Sequence, residues 1–516
     1  MSTKTAGGLF PGGYLPRFAE KPAVIMAESG NSLSFDELDR FANQLGRLYQ
    51  WNGLKAGDHV AYCLENRLEC PAVQWAAHYV GLYYTFISNR LTGAEAAYIV
   101  ENCNAQILIV SAKTAPNIVN AIRSLPNPPK IFSVDASPGC SKLSDALAAF
   151  DNTPLQNTLE GSDMLYSSGT TGKPKGVKPN LTGKPLGSTS LIGSLLQQGF
   201  AADENSVYLS PAPFYHAAPM KWGQGIIALG GTMIMMEKFD AESCLQAIER
   251  YSVTHSQWVP TMFHRLLSLS NEIKTRYNLS SQTVAVHAAA PCPIPTKQAM
   301  IDWWGPIIYE YYSCTEAIGM TFTDTNAWLK YPGTVGRALL GTPHILDEEG
   351  NELPTGKDGA VYFSDGPSFS YHKDDIKTAQ AHSKSGWATV GDIGHLNKEG
   401  FLFLTDRQSN MIISGGVNVY PQETENTLCV HPDVRDAAVF GIPHADLGEQ
   451  VCAIIQLESH VSPSENIKEK LNAYCRENLS PIKCPRVIEF RETLPREPNG
   501  KLLKRLLKDE FTLKQN

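Results

Sequence analysis

Apolar and polar positions alternate between two periods along this chain. Residues 35–51 (FDELDRFANQLGRLYQW) carry apolar side chains at helical spacing, which predicts an amphipathic helix. Short apolar runs follow, HVAYCL from His59, AQILIV from Ala105 and KIFSV from Lys130, with amphipathic segments between them. Runs of that length predict buried strands, and their alternation with helices predicts α/β layers with mostly parallel strands. The pattern continues past the middle. TMIMM from Thr232 reads as a strand, AESCLQAIERYS from Ala241 as a helix, and THSQWVP from Thr254 as a strand.

Two further strands, TVAVHAAA from Thr283 and IIYEYY from Ile307, run into the unusual loops AAAPCP and YSCTEAIG. Ligands in open α/β sheets gather beyond the carboxyl ends of strands, so these loops are expected at a site. From about Tyr331 the texture becomes turn-rich, as in PGTVGRALLG, DEEGNELPTGKDG and NKEGFLFL, which predicts a small β subdomain. After Asp406 and Arg407 comes another unit, with a helix from Ile467 and strands in VRDAAVFGIP, QVCAIIQL and RVIEF. The predicted class is α/β: a large N-terminal domain over 1–406, with that β subdomain, and a small α+β C-terminal domain over 410–516.

Composition narrows the picture. At 516 residues the chain exceeds the roughly 100–200 residues of one domain. Its 42% hydrophobic and 19% charged residues are those of an ordinary globular protein. A net charge of −8 argues against nucleic acid or an anionic membrane as the main partner. The 11 cysteines contain no CxxC pair, which fits reduced thiols in a cytoplasmic protein. No apolar signal core opens the sequence and no run approaches the ~20 residues of a membrane helix. The sequons at Asn180, Asn278 and Asn478 are accordingly read as chance. A homodimer is the base-rate expectation.

The first sign of chemistry is YSSGTTGKPKG, Tyr166 to Gly176. Gly169, Gly172 and Gly176 let backbone N–H groups approach phosphate oxygens. Ser167, Ser168, Thr170 and Thr171 add hydroxyl donors, and Lys173 and Lys175 add positive charge. The spacing is not that of a Walker A loop.

At this point the chain resembles the adenylate-forming superfamily of acyl-CoA synthetases, adenylation domains and luciferases. The loop matches that family's signature nearly letter for letter, and the other signatures follow in order from roughly Leu33 to Lys504. The resemblance implies that Ser167, Ser168, Gly169, Thr170, Thr171, Gly172 and Lys175 bind ATP phosphates. It implies that Tyr312 stacks on adenine, Thr315 contacts phosphate and Glu316 helps hold Mg²⁺; a carboxylate suits a hard cation. Ser313 stands where the family usually has Gly. By the same resemblance, Ala289, Ala290 and Pro291 in HAAAPCP would belong to the nucleotide site. Asp392 would grip the ribose hydroxyls, joined by Arg407. His216, in PAPFYHAAPM, would border the acyl pocket with Trp258, Val259, Met262 and Ala288.

Lys501, in LPREPNGKLLKR, is by resemblance the mobile catalytic lysine. A carboxylate must attack an anionic α-phosphate, and two unit charges ~4 Å apart repel by about 1–4 kcal/mol at effective dielectrics of 80 to 20. A bridging cation offsets that repulsion. The implied catalytic set is therefore Lys501, Thr170, Glu316 and His216. The family rotates its C-terminal domain between half-reactions, which places a hinge at 407–409, with Ser409 where Asp or Lys is usual. Gly415 and Gly416 would then line a narrow tunnel for coenzyme A.

The implied reaction is carboxylate plus ATP to acyl-AMP and pyrophosphate, then attack by a thiol to release AMP. No carrier or reductase domain follows Lys501, so the expected partners are a small carboxylic acid and free coenzyme A. HAAAPCP and WWGP (Trp303–Pro306) look most like fatty-acid and bile-acid type CoA ligases, which implies a fatty or bulky hydrophobic acid. A freestanding enzyme that loads a carrier-protein thiol is the alternative. A non-catalytic descendant would have lost Thr170, Lys175, Glu316, Asp392, Arg407 or Lys501, and all are present.

Overall fold

The computed structural model describes residues 8–167, 174–188, 191–415, 417–444, 446–496 and 502–515; the side chains of Ser167 and 512–515 stand outside that description. The chain divides into two compact units. One comprises Met1–Trp258, Ser268–Val286 and Ser368–Ala379, the other Val259–Leu267, His287–Pro367 and Gln380–Asn516.

The first unit is built as the apolar runs predict. His59–Cys63 lies between Tyr83–Phe86 and Ala105–Val110, and Ala105–Val110 pairs with Lys130–Ser133, all parallel. Every residue of His59–Cys63 is buried. A strand covered on both faces has no polar face to show, which is why these runs read as continuous rather than alternating. A second parallel set pairs Pro22–Met26 with Thr232–Met235, the latter with Val207–Ser210, and that strand with His255–Trp258. The helix Phe35–Trp51 starts where Ser34 accepts from the Glu37 backbone N–H while the Glu37 carboxylate accepts from the Ser34 N–H. This reciprocal cap satisfies two otherwise orphaned donors. Thr92 and Glu95 start Gly93–Asn102 in the same way.

A smaller antiparallel sheet joins Leu165–Ser167, Lys175–Pro179 and Phe369–Tyr371. Asn102 pins it. Its side-chain oxygen accepts from the Tyr166 hydroxyl at 2.5 Å, and its carbonyl accepts from His372 Nε2 at 3.0 Å and Lys373 Nζ at 2.8 Å.

The second unit changes to antiparallel pairing. Ile308–Ser313, Met320–Thr323, Thr334–Leu340, Leu402–Arg407, Asp392–Leu396, Gly359–Ser364 and Thr342–Leu346 form one antiparallel succession. The antiparallel texture therefore begins at Ile308, earlier than the turn-rich composition from Tyr331 suggests. The last part of the chain holds a long hairpin, Val434–His444 with Gly448–Leu457, flanked in parallel by Val487–Phe490. The helix Glu465–Asn478, capped by Ser464, sends Leu471 and Cys475 into a core with Ile412, Leu428, Val439 and Ile455.

All 11 cysteines are free. Among the described residues no helix is long and apolar enough to cross a membrane.

Candidate active site

Asp392 is the centre of a connected polar group in the second unit. It opens the strand Asp392–Leu396, whose antiparallel partner ends at Arg407, and the two residues face each other in register. Arg407 Nε donates to Asp392 Oδ1 at 3.0 Å, and the Tyr312 hydroxyl donates to Oδ2 at 2.5 Å. Asp392 is 5% exposed, so both oxygens of a buried carboxylate are held by charged or strongly polar donors. The neighbouring anion raises the pKa of Arg407 above its ordinary value, Asp392 contributing most and Tyr312 and Glu316 adding to it. Burial, then Asp392, pushes the Tyr312 phenol well above the tyrosine range. Tyr312 therefore stays protonated and remains a donor.

The strand carrying Tyr312 ends at Ser313, and the chain returns at Met320 opposite it. Ser313 Oγ donates to the Gly319 carbonyl at 2.8 Å, closing the connection that bears Thr315 and Glu316. Ala317 adopts φ 53° within it, a left-handed backbone that costs an L-residue roughly 1–2 kcal/mol. The turn fits because its surroundings fix it. A Cβ on Gly319 would stand 2.0 Å from the Phe363 ring, and one on Gly366 would stand 1.8 Å from the Ile318 carbonyl. Glu316 is buried and Thr315 half-buried. The Cys314 thiol beside them is pushed up to about 12, first by burial and then by the Glu316 charge.

Among the described residues no group of three or more His, Cys, Asp or Glu side chains could hold a metal ion. Glu316 by itself suits a divalent cation that brings most of its ligands as phosphate oxygens and water.

The loop after Val284–His287 holds the predicted Ala288, Ala289, Ala290 and Pro291. Ala288 is buried, Ala290 half-buried, and Ala289 and Pro291 exposed. Ala289 has φ 74°, a second strained alanine beside the proposed chemistry. Beneath this loop lies a group that only one oddity in the sequence betrays, a glutamate inside the apolar run IIYEYY. Lys297 Nζ donates to Glu310 Oε2 at 2.6 Å, and His287 Nε2 lies 3.5 Å from the same oxygen. All three are buried. Burial and then the Lys297 charge push the His287 pKa well below the ordinary histidine value, so the ring is neutral.

The remaining predicted residues are distributed as follows. His216 and Trp258 belong to the first unit, Val259 and Met262 to the second. Trp258 Nε1 donates to Ser256 Oγ at 2.7 Å, and Val259 and Met262 are buried apolar side chains. His216 stands at the N-cap position of Ala217–Ala228 without capping it through its side chain, and its ring centroid is 4.5 Å from that of Tyr215. Burial, then the Arg90 charge, pushes it down to about 4, so it too is neutral. Lys175 extends over the Tyr371 ring, 4.8 Å from its centroid. Ser167 pairs through its backbone with Lys175. Ser168, Gly169, Thr170, Thr171, Gly172, Gly416 and Lys501 lie outside the described residues. Gly415, with φ 57°, donates its N–H to the Leu447 carbonyl at 2.8 Å. Ile413 and Val417 nearby are 52% and 48% exposed.

Comparison with known proteins adds the family. The family described as AMP-binding enzyme matches residues 15–370, and the AMP-binding enzyme C-terminal domain matches residues 423–501. A methyl-dioxo-octahydroindenyl-propanoyl:CoA ligase of Rhodococcus jostii is 29% identical over 520 aligned positions, covering 96% of each chain. The 2-succinylbenzoate–CoA ligase of Geobacillus kaustophilus is 29% identical over 494, covering 95% of this chain and 96% of its own. The structure of an amide bond synthetase from Marinactinospora thermotolerans superposes with a TM-score of 0.83 at 25% identity, over 95% of this chain and 97% of its own.

Proposed function

We propose, from the premise that this chain belongs to the AMP-binding enzyme family of adenylate-forming enzymes, that it is an ATP-dependent acid–CoA ligase. The observation that carries the reading is the Asp392 carboxylate held between Tyr312 and Arg407, with Glu316 close enough to act on Arg407. In one unit these supply an aromatic face for a purine, a fixed carboxylate for vicinal hydroxyls, a cation for phosphate and a second carboxylate for a metal.

The proposed reaction joins the acid's carboxylate oxygen to the α-phosphorus and expels pyrophosphate. The thiol of coenzyme A then attacks the acyl carbon, its proton is lost, and AMP leaves. Tyr312 and Asp392 orient the nucleoside, and Arg407 answers the charge of the phosphate. The 166–176 loop, with Thr170 and Lys175, takes the phosphates that leave. Lys501 bridges the attacking carboxylate and the α-phosphate. Glu316 would hold Mg²⁺ together with the nucleotide, and the metal would supply charge neutralisation on those phosphates. The C-terminal domain, 410–516, would turn about 407–409 to exchange Lys501 for Gly415, Gly416 and the thiol. Because the adenylate is a mixed anhydride, water must be kept from it.

For the acid we propose a fatty or bulky hydrophobic carboxylate, alicyclic, steroid-like or aromatic. Two features support it. Trp258, Val259, Met262 and Ala288, expected from the sequence at the acid, are each buried, and His216 is half-buried and neutral; the two CoA ligases above are named for a bicyclic and an aromatic acid. The amide bond synthetase favours a second reading of the acceptor alone, an amine in place of the thiol. The deciding experiment is a screen of fatty, aromatic and polycyclic acids with ATP, offering coenzyme A, simple amines or a carrier-protein thiol in turn. Acid-dependent AMP with a new acyl-CoA mass supports the ligase; adenylate formation with product only from amine or carrier overturns the acceptor.

A further inference from the structure

Glu310 lies two positions before Tyr312 on Ile308–Ser313, so the two side chains share a face of the strand. Its Oε2 accepts from Lys297 Nζ at 2.6 Å and lies 3.5 Å from His287 Nε2. His287 is the last residue of Val284–His287, and Lys297 sits in the first turn of Ile294–Trp304. The loop 288–293 runs between them; beyond its far end Lys297 is hydrogen-bonded to that oxygen, while at its near end neither ring nitrogen of His287 has a hydrogen-bond partner among the described residues. The other sides of the cluster are closed by rings. Lys297 Nζ is 4.9 Å from the centre of Trp328, and Phe263 stands edge-on to His287 at 5.4 Å.

A buried ion pair is a poor device for stability alone, because the cost of removing both charges from water cancels most of their attraction. Apolar side chains of the same volume would join this strand to this helix as well. What an ion pair adds is direction, since a charged hydrogen bond fixes the distance and angle of what it joins. The loop it joins needs fixing, because Ala289 holds a left-handed backbone that an unrestrained alanine would leave.

We propose that Glu310 is a positioning residue: through Lys297 it clamps the helix that follows 288–293 and so holds Ala288–Ala290 against the nucleotide and the acyl group. The clamp itself follows from geometry; its effect on ligands rests on the function proposed above.

The test is the double variant Lys297→Met/Glu310→Leu of the full chain, which replaces the pair by apolar side chains without stranding a charge. Three readouts are taken: thermal melting, amide exchange of peptides spanning 288–293, and steady-state kinetics with ATP and the acid found in the screen. The clamp predicts a folded variant whose 288–293 amides exchange about tenfold faster. KM for ATP and acid rises about tenfold, with kcat at saturation falling less. A folded variant with wild-type exchange and wild-type KM overturns the proposal. If the double variant does not fold, Lys297→Met/Glu310→Gln keeps more of the original shape while removing the charged bond, and the same readouts decide. If the wild-type chain forms no acyl-adenylate, the proposed function fails, and exchange at 288–293 alone still supports or overturns the clamp.

Discussion

The hydroxyl of Tyr312 donates to Asp392 Oδ2 at 2.5 Å, across a separation of 80 residues in sequence. The aromatic ring and the carboxylate proposed for the two halves of a nucleoside are thereby one rigid object, and the Asp392–Arg407 contact ties a cation to it. Preorganisation of this kind lowers the ordering cost of binding.

Tyr312→Phe keeps the ring and removes the donor to a buried charge, a bond worth about 1.5–3 kcal/mol. The expected result is nucleotide affinity lowered by roughly tenfold or somewhat more, with Tyr312→Ala worse than Tyr312→Phe because the ring is lost too. Asp392→Asn keeps shape but leaves Arg407 without its anion, and should weaken nucleotide binding at least as much as Tyr312→Phe. Calorimetric titration with ATP measures all three. Equal affinities for wild type and Tyr312→Phe would show that the contact does not position the ring.

Ser313→Ala deletes the bond from Ser313 Oγ to the Gly319 carbonyl. The loss should cost about 1 kcal/mol, seen as a small drop in the melting midpoint. Half-saturation by Mg·ATP should rise with it, because Glu316 rides on the connection that the bond closes. An unchanged midpoint and unchanged half-saturation would mean that the bond holds nothing in place.

Histidines with depressed pKa values weaken the first unit at acid pH. Burial pushes His59, His78 and His216 each down from 6.5 to about 4, with Lys178 and Arg90 adding to the effect at His59 and His216, and Glu160 opposing it at His78. Among the described residues, His59 Nδ1, His78 Nδ1 and His216 Nε2 have no hydrogen-bond partner. Between pH 6.5 and 4 the unfolded chain binds protons that the folded chain refuses. Stability is therefore complete above about pH 6.5 and falls as the pH drops toward 4, by up to about 3 kcal/mol per group. Melting curves from pH 7.5 to 4.5 should show a falling midpoint. Replacing His78 by Gln or Phe should flatten the fall, and an unaltered slope in every such variant would contradict the assignment.

Lys501→Ala should slow adenylation by about 10²–10³-fold, the usual size for loss of one transition-state charge contact, while thiolysis of supplied acyl-adenylate proceeds nearly unchanged. Single-turnover measurement of each half-reaction separates the two. Equal losses in both would remove Lys501 from the adenylation step.

Much of the fold is legible because its causes are local. Residues 35–51 form one helix at the predicted bounds, since helical periodicity and the Ser34–Glu37 cap agree. His59–Cys63 and Ala105–Val110 read as strands because burial on both faces favours apolar side chains, with only His59 and the exposed Gln106 departing from it. Pairing partners are another matter. Pro22–Met26 joins Thr232–Met235, an outcome set by the packing of whole layers that no local pattern records. Met320–Thr323 is short and carries two threonines, which hides the antiparallel turn taken before Tyr331. At the site, Tyr312, Asp392 and Arg407 are recognisable one by one from their motifs, but the bonds among them depend on strand register. Glu310 and Lys297 belong to no motif. Only a charge within an apolar strand marks Glu310, and its partner comes from a helix whose orientation the sequence does not display.

The central claim is tested most directly by product analysis of the purified chain with ATP, Mg²⁺, coenzyme A and fatty, aromatic and polycyclic acids. The account predicts that at least one hydrophobic acid yields AMP, pyrophosphate and acyl-CoA in equal amounts, with acyl-AMP accumulating when coenzyme A is withheld. ATP binding without acid-dependent AMP from any of these acids, or cleavage to ADP and phosphate, would contradict it.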